Sequence, residues 1–237
     1  VLEDAFRQPG VKALILCNPS NPSGKVFTRE ELTIIADLAK KYDLYVITDE
    51  VYEHILYKPH EHVYMATLPG MRERTIICSS LSKTYSITGW RIGYVIASPE
   101  ITERVKKVHD FLTIGAAAPL MEAVVVGLNF GDEYYEELQQ HYTHMKELFC
   151  GGLRDIGLSF VEPQGAYYVM VDISEFGYGN DYDFAVDLAR KVGVGSVPGS
   201  SFFKEDVHDY VRFHFAKKDE TLKAALDRLA EIRNKMK

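Results

Sequence analysis

Cys78-Ser79-Ser80-Leu81-Ser82-Lys83-Thr84-Tyr85-Ser86-Ile87-Thr88-Gly89-Trp90-Arg91-Ile92-Gly93-Tyr94 is the stretch whose reading decides the fold. The run Thr75-Ile76-Ile77-Cys78 leading into it is short, apolar and β-branched, which predicts a buried strand. Residues 91–97 alternate into a second strand. Between the two lies a serine- and glycine-rich connection that carries one lysine. Serine hydroxyls and free backbone N–H groups at a strand end suit a phosphate. Arg91, eight residues after Lys83 (91 − 83), is able to add a bidentate contact to the same anion. A lysine held among such groups is able to form a Schiff base with a carbonyl cofactor. Taken singly, a lysine or an arginine most often sits solvated on the surface, so the neighbouring chain has to decide.

Upstream, residues 11–17 form a mostly apolar run that predicts a buried parallel strand. It stops at Asn18-Pro19-Ser20-Asn21-Pro22-Ser23-Gly24, where two prolines and a glycine fix a rigid turn. Thr28-Arg29-Glu30-Glu31 is a capping box. It opens a helix with Leu32, Ile35, Ala36, Ala39 and Tyr42 on one face. Residues 44–48 are a further buried strand, ending at Asp49. Strand, helix and strand at this spacing predict a βαβ unit with parallel, neighbouring strands. In such sheets ligands bind at the C-terminal strand ends. Asn21, Asp49 and the serines and lysine of residues 80–83 all follow strand ends on that edge.

Downstream, Ser98-Pro99 is a cap and first-turn pair for a helix through Val105, Val108 and Leu112. Ala116-Ala117-Ala118-Pro119 breaks it, and residues 120–128 are apolar enough for a buried helix. Asp132 caps a long helix with Tyr135, Leu138, Tyr142, Met145 and Phe149 on its apolar side, ending near Gly157. The pattern then changes to short strands at 158–162 and 166–171, an amphipathic helix at 183–192, a loop at 194–201, a strand at 210–216 and a charged terminal helix. The fold class is therefore α/β: a mostly parallel sheet flanked by helices, followed by a smaller α+β domain. Arg212 lies in an aromatic-rich strand. Facing inward it would be costly without an anion to meet, and alternation alone leaves its direction open.

The composition, 46% hydrophobic and 26% charged, is that of an ordinary globular protein, and the net charge of −7 gives no basic footprint for nucleic acid or an anionic membrane. No apolar run reaches transmembrane length. Three scattered cysteines, Cys17, Cys78 and Cys150, suit neither a disulfide framework nor a zinc site, and point to a reducing cytoplasm. His141 and His144, and the His60-Glu61-His62 loop, have no ligand cluster around them, so no metal is expected. Glu50 and Glu53 are read as solvated or structural.

Ser80-Leu81-Ser82-Lys83 followed by Gly89-Trp90-Arg91-Ile92-Gly93 resembles the cofactor-lysine signature of class I/II aminotransferases, fold-type I enzymes that use pyridoxal 5′-phosphate (PLP). The proline turn at 18–24, Asp49-Glu50-Val51-Tyr52 and Val211-Arg212-Phe213-His214-Phe215 fall in the family's order. The resemblance implies PLP on Lys83, which then serves as catalytic base and acid. It implies Asp49 at the pyridine nitrogen, Tyr52 and Asn21 at the phenolate oxygen, and Ser80, Ser82 and Arg91 at the phosphate. Arg212, with Asn21, would take the substrate α-carboxylate. Amino acid and 2-oxo acid substrates, a ping-pong cycle and a homodimer are implied with them. Residues 1–130 then correspond to the C-terminal part of a PLP-binding large domain, 131–157 to a connecting helix and 158–237 to a small C-terminal domain. Family members carry more chain on the N-terminal side, including a phosphate loop and a ring that stacks on the cofactor. The chain is thus expected to be a C-terminal piece that alone binds PLP weakly and is nearly inactive. The same motifs also serve PLP lyases and synthases acting at Cβ or Cγ, and a non-catalytic module could retain the fold.

Overall fold

A computed structural model describes residues 1–236. They divide into two units: Val1–Pro19 with Val26–Leu138, and Ser20–Lys25 with Gln139 onward.

In the first unit a short helix, α1 (Leu2–Phe6), precedes β1 (Ala13–Cys17), and the chain then reaches α2 (Arg29–Lys41). The capping box forms as read. The Thr28 hydroxyl accepts from the Glu31 N–H at 3.2 Å, and the Glu31 carboxylate accepts from the Thr28 N–H at 2.9 Å. Such a cap is worth about 1 kcal/mol. Leu32, Ile35, Ala36 and Ala39 are buried in one cluster with Leu16, Leu44 and Val46. Each aliphatic side chain buried this way contributes roughly 1.5–3 kcal/mol, so packing outweighs the cap in holding α2.

The sheet is completed by β2 (Tyr45–Asp49), β3 (Thr75–Ser80) and β4 (Gly93–Ile96), in the order β1-β2-β3-β4. The first three strands are parallel and β4 is antiparallel to β3. The register levels the motif residues: Cys17 lies opposite Asp49, Asp49 opposite Cys78, and Ser80 opposite Gly93. A Cβ on Gly93 would lie 2.8 Å from the Ser79 carbonyl oxygen. Only glycine lets β4 approach β3 beside the serines.

The far face of this sheet is open. Ile15 is 75% exposed, and Tyr45 and Val95 on the same face are exposed with it. α3 (Pro99–Leu112) and α4 (Ala118–Leu128) form where the cap and the proline break place them. α3, however, has no buried residue, and Phe111 is 93% exposed. α4, expected to be a buried helix, buries only Val124 and Gly127. Caps and propensity start a helix locally, whereas burial needs something opposite, and none of the described residues covers these faces.

α5 (Asp132–Ile156) starts and ends as read and runs from the first unit into the second. In the second unit follow β5 (Phe160–Val161), β6 (Tyr168–Asp172), α6 (Asp181–Asp187), β7 (Val197–Pro198), β8 (Tyr210–His214), α7 (Asp219–Leu229) and α8 (Ile232–Lys235). α6 continues into a π turn over Leu188–Val192. The strands make an antiparallel sheet in the order β5-β6-β8-β7. The run read as a loop thus contains a two-residue strand. Pro198 is tolerated because β7 is at the sheet edge, where a missing donor costs nothing. The terminal helix, read as continuous, is broken between α7 and α8.

Candidate active site

The level strand ends of the first sheet bring Asp49, Ser80, Ser82, Lys83 and Arg91 to one cavity of about 310 Å³, together with Val51, Cys78 and Ser79. Its floor is fixed by backbone bonds between the ends. The Asn18 N–H donates to the Asp49 carbonyl at 3.0 Å, and the Glu50 N–H to the Cys78 carbonyl at 2.9 Å. The Asp49 carboxylate accepts from the Val51 N–H at 3.2 Å, turning the chain just past the strand. Tyr52 is buried, 3% exposed, and does not line this cavity.

Lys83 Nζ reaches the Thr88 hydroxyl at 3.4 Å, and that hydroxyl donates to the Ser82 carbonyl at 3.1 Å. Arg91 donates to the Thr88 carbonyl at 2.9 Å. Thr88 therefore ties the lysine end of the connection to the arginine end, a role the motif reading did not single out. Arg91 adopts left-handed backbone angles, φ 58° and ψ 43°, and Ser86 has φ 56°. Such angles in residues other than glycine are held by their surroundings and concentrate at functional sites. Ser80 Oγ accepts from the Ser82 N–H at 3.3 Å. Burial, reinforced by the Asp49 and Glu50 carboxylates, pushes the Cys78 thiol above its ordinary value, so it stays protonated and is no nucleophile.

Glu50 and Glu53 are structural rather than solvated. The Glu50 carboxylate is buried and lies 3.1 Å from His62 Nε2. Glu53 accepts from Ser79 and Tyr94 at 3.1 and 3.2 Å, and from Tyr64 at 2.7 Å. Glu50, Glu53 and His62 bring potential ligand atoms within 4.8 Å of one another. His62 Nε2, Glu50 Oε2 and both Glu53 oxygens are engaged in hydrogen bonds that brace the turn after Asp49, while His62 Nδ1 is buried without a hydrogen-bond partner among the described residues. The pairing of Glu50 with a histidine twelve residues away had no signal in spacing. His144 is likewise engaged, with Asp219 at 3.0 Å.

In the second unit, Arg212 lies on β8 opposite Met170 and Val197. Its guanidinium carbon is 4.2 Å from the Tyr168 ring centre and 4.5 Å from that of Phe202. Two aromatic faces hold the flat cation by cation–π attraction. Arg212 also donates to the Asn21 side-chain oxygen. Asn21 sits in the proline turn, which Gly24 fastens: its carbonyl accepts from the Gln164 and Gly165 N–H groups at 2.9 and 2.8 Å. Gly24 has φ 69°, and a Cβ there would lie 3.0 Å from the Gly165 oxygen, so the motif glycine is required. Two residues from distant motifs are thus joined within one unit.

The chain matches the family model "Aminotransferase class I and II" over residues 2–229, and it belongs to that family. It is 37% identical to the putative aminotransferase YugH of Bacillus subtilis, over 94% of this chain and 57% of that protein. It is 37% identical to the kynurenine–oxoglutarate transaminase of Dictyostelium discoideum, over the same shares. Its fold superimposes on the N-succinyldiaminopimelate aminotransferase of Mycobacterium tuberculosis with a TM-score of 0.91 at 35% identity, covering 96% of this chain and 61% of that one. The chain thus spans less than two thirds of the length of the relatives it matches. Among the described residues no helix is long and apolar enough to cross a membrane.

Proposed function

We propose that the protein to which this chain belongs is a pyridoxal-phosphate-dependent aminotransferase, moving an amino group between an L-amino acid and a 2-oxo acid. The observation that carries this is the lining of one strand-end cavity by a lysine, a carboxylate, three serines and an arginine. That donor set fits PLP: an amine for its aldehyde, a carboxylate for its ring nitrogen, hydroxyls and a guanidinium for its phosphate. Lys83 would hold the cofactor covalently and Asp49 its ring nitrogen. Ser80, Ser82 and Arg91 would hold its phosphate, and Tyr52 and Asn21 its phenolate oxygen. When bound, the cofactor supplies an electron sink for the substrate carbanion.

The remaining work falls to the chain. Arg212, its plane preset by Tyr168 and Phe202, orients the substrate through its α-carboxylate. The Lys83 amine would be the base that takes the proton from the substrate Cα and the acid that gives it back. Asp49 would face the ring nitrogen and favour its protonated form. Two half-reactions on one cofactor give ping-pong kinetics. The relatives named above are transaminases, which favours amino transfer over elimination from Cβ or Cγ. A reducing cytoplasm agrees with three free cysteines. A homodimer, the arrangement implied by the family, would cover the exposed apolar residues of α3 and α4.

Borohydride reduction in the presence of PLP, followed by peptide mapping, tests the reading. The expected label is on Lys83, with a visible absorption band that bleaches when amino acids are added. A label elsewhere, or keto acid formed from an amino acid in excess of the PLP supplied with no amino acceptor present, would overturn it.

A further inference from the structure

Arg212 is flanked by two segments that one buried carboxylate holds together. Phe202, which covers one face of the guanidinium, ends a tight turn over Gly199–Phe202. Ser200 in that turn donates to Asp181 twice, from its N–H at 2.6 Å and its hydroxyl at 2.9 Å. Asp181 lies in the first turn of α6 and is 0% exposed. Its Oδ1 also accepts from His208 Nδ1 at 3.1 Å. His208 stands four residues before Arg212 (212 − 208), on the segment that leads into β8. Its other nitrogen is 2.7 Å from Asp206.

Carboxylates only accept, so a histidine that bonds carboxylates through both nitrogens donates from both and is an imidazolium. Burial pushes the Asp181 carboxyl up, but the Ser200 and His208 donors outweigh it and hold the group below its ordinary 3.8. Burying a carboxylate is expensive, and well-packed apolar residues often serve stability equally well. What an apolar residue cannot do is fix the turn bearing Phe202 and the entry of the strand bearing Arg212 to the same two oxygens.

We propose that Asp181 is a positioning residue for carboxylate binding: through Ser200 it sets Phe202, and through His208 the start of β8, so that Arg212 is presented in one orientation. This rests on the reading of Arg212 as the carboxylate-binding group. Asp181 touches neither substrate nor cofactor in this scheme. Its contribution is to ground-state orientation and belongs in KM rather than in kcat.

The test uses the full-length holoenzyme with the fastest amino donor found among the protein amino acids. Asp181→Asn and His208→Gln are each expected to raise KM about three- to tenfold, the value of one or two lost hydrogen bonds, with kcat changed less than twofold. The absorption band of the lysine-bound cofactor should not move. In an Arg212→Lys background the Asp181→Asn effect should disappear, because the plane it positions is gone. Ser200→Ala, a smaller cut at the same carboxylate, serves if Asp181→Asn does not fold. Equal KM values in wild type, His208→Gln and Ser200→Ala, with Arg212→Lys raising KM, would overturn the positioning role and leave the carboxylate reading intact. A KM indifferent to Arg212→Lys would overturn both. An Asp181→Asn effect undiminished in the Arg212→Lys background would show a general structural role and overturn the proposal as well.

Discussion

The two cationic centres of this chain are built on different plans. Lys83 and Arg91 belong to an irregular connection between two strands, in an open cavity whose lining is mostly short polar side chains and backbone. The Lys83 amine contacts the Thr88 hydroxyl at 3.4 Å. Arg212 sits on a regular strand, with two rings against its guanidinium and a bond to Asn21. The difference fits the roles proposed for each. An amine that changes both its covalent partner and its charge during a cycle needs room to move. A guanidinium that only binds gains by losing its freedom before the substrate arrives.

The sharpest way to break the comparison is at the amine. Lys83→Ala is expected to abolish the borohydride label and lower turnover by about 10⁴-fold, the upper range for a lost acid–base group. A labelled, active Lys83→Ala protein would leave the strand-end cavity without a role. Next in size is Asp49→Asn. Removing one preorganised electrostatic partner typically costs roughly 10²–10³-fold. Here the loss should fall on kcat, while Arg212→Lys should act mainly through KM. Arg212→Lys keeps the charge but loses the planar fork, and a tenfold to hundredfold rise in KM is expected, about 1.4–2.8 kcal/mol. If both substitutions changed the same constant, the two-plan description would collapse.

Smaller effects sharpen the contrast. Thr88→Val removes the hydroxyl between Lys83 and Ser82, and should cost about 1 kcal/mol of stability by thermal melting, with the Arg212-dependent KM unchanged. The smallest effect is a pH dependence on the Arg212 side. Hydrogen bonds to Asp181 and then Asp206 raise the His208 pKa above its ordinary 6.5. A raised folded-state pKa contributes stability that is fully present below the unfolded value and is lost as pH rises through the folded one. The melting temperature of the wild type should therefore fall more steeply than that of His208→Gln as pH rises from about 6.5. Parallel curves across that window would remove the imidazolium from the account.

Much of the site was legible because its signals are local. The Ser80-Leu81-Ser82-Lys83 run follows a strand, the capping box at Thr28 declares its helix, and the βαβ spacing makes β1 and β2 parallel. Once the strands are parallel, Asp49 and the serines must share an edge. Other features carried no local signal. Nothing near Glu50 announces His62, nothing near Arg212 announces Phe202 or Asn21, and Asp181 in a helix start looks like a capping acid. The spaced apolar residues at 105–112 and the apolar run at 120–128 specified helices but left open whether anything covers them.

By itself the sequence determined the type and order of the elements, the edge on which the motif residues gather, and the chemistry those residues are able to perform. Each follows from spacing, capping and residue type within a few positions of the chain. The tertiary structure alone decided that Asn21 reaches Arg212 across 191 positions, that two rings fix the guanidinium plane, and that one buried carboxylate ties both flanks of it together. Pairings of that kind depend on register and packing between distant segments. Their free energy comes from burial and geometry that no single stretch of residues contains.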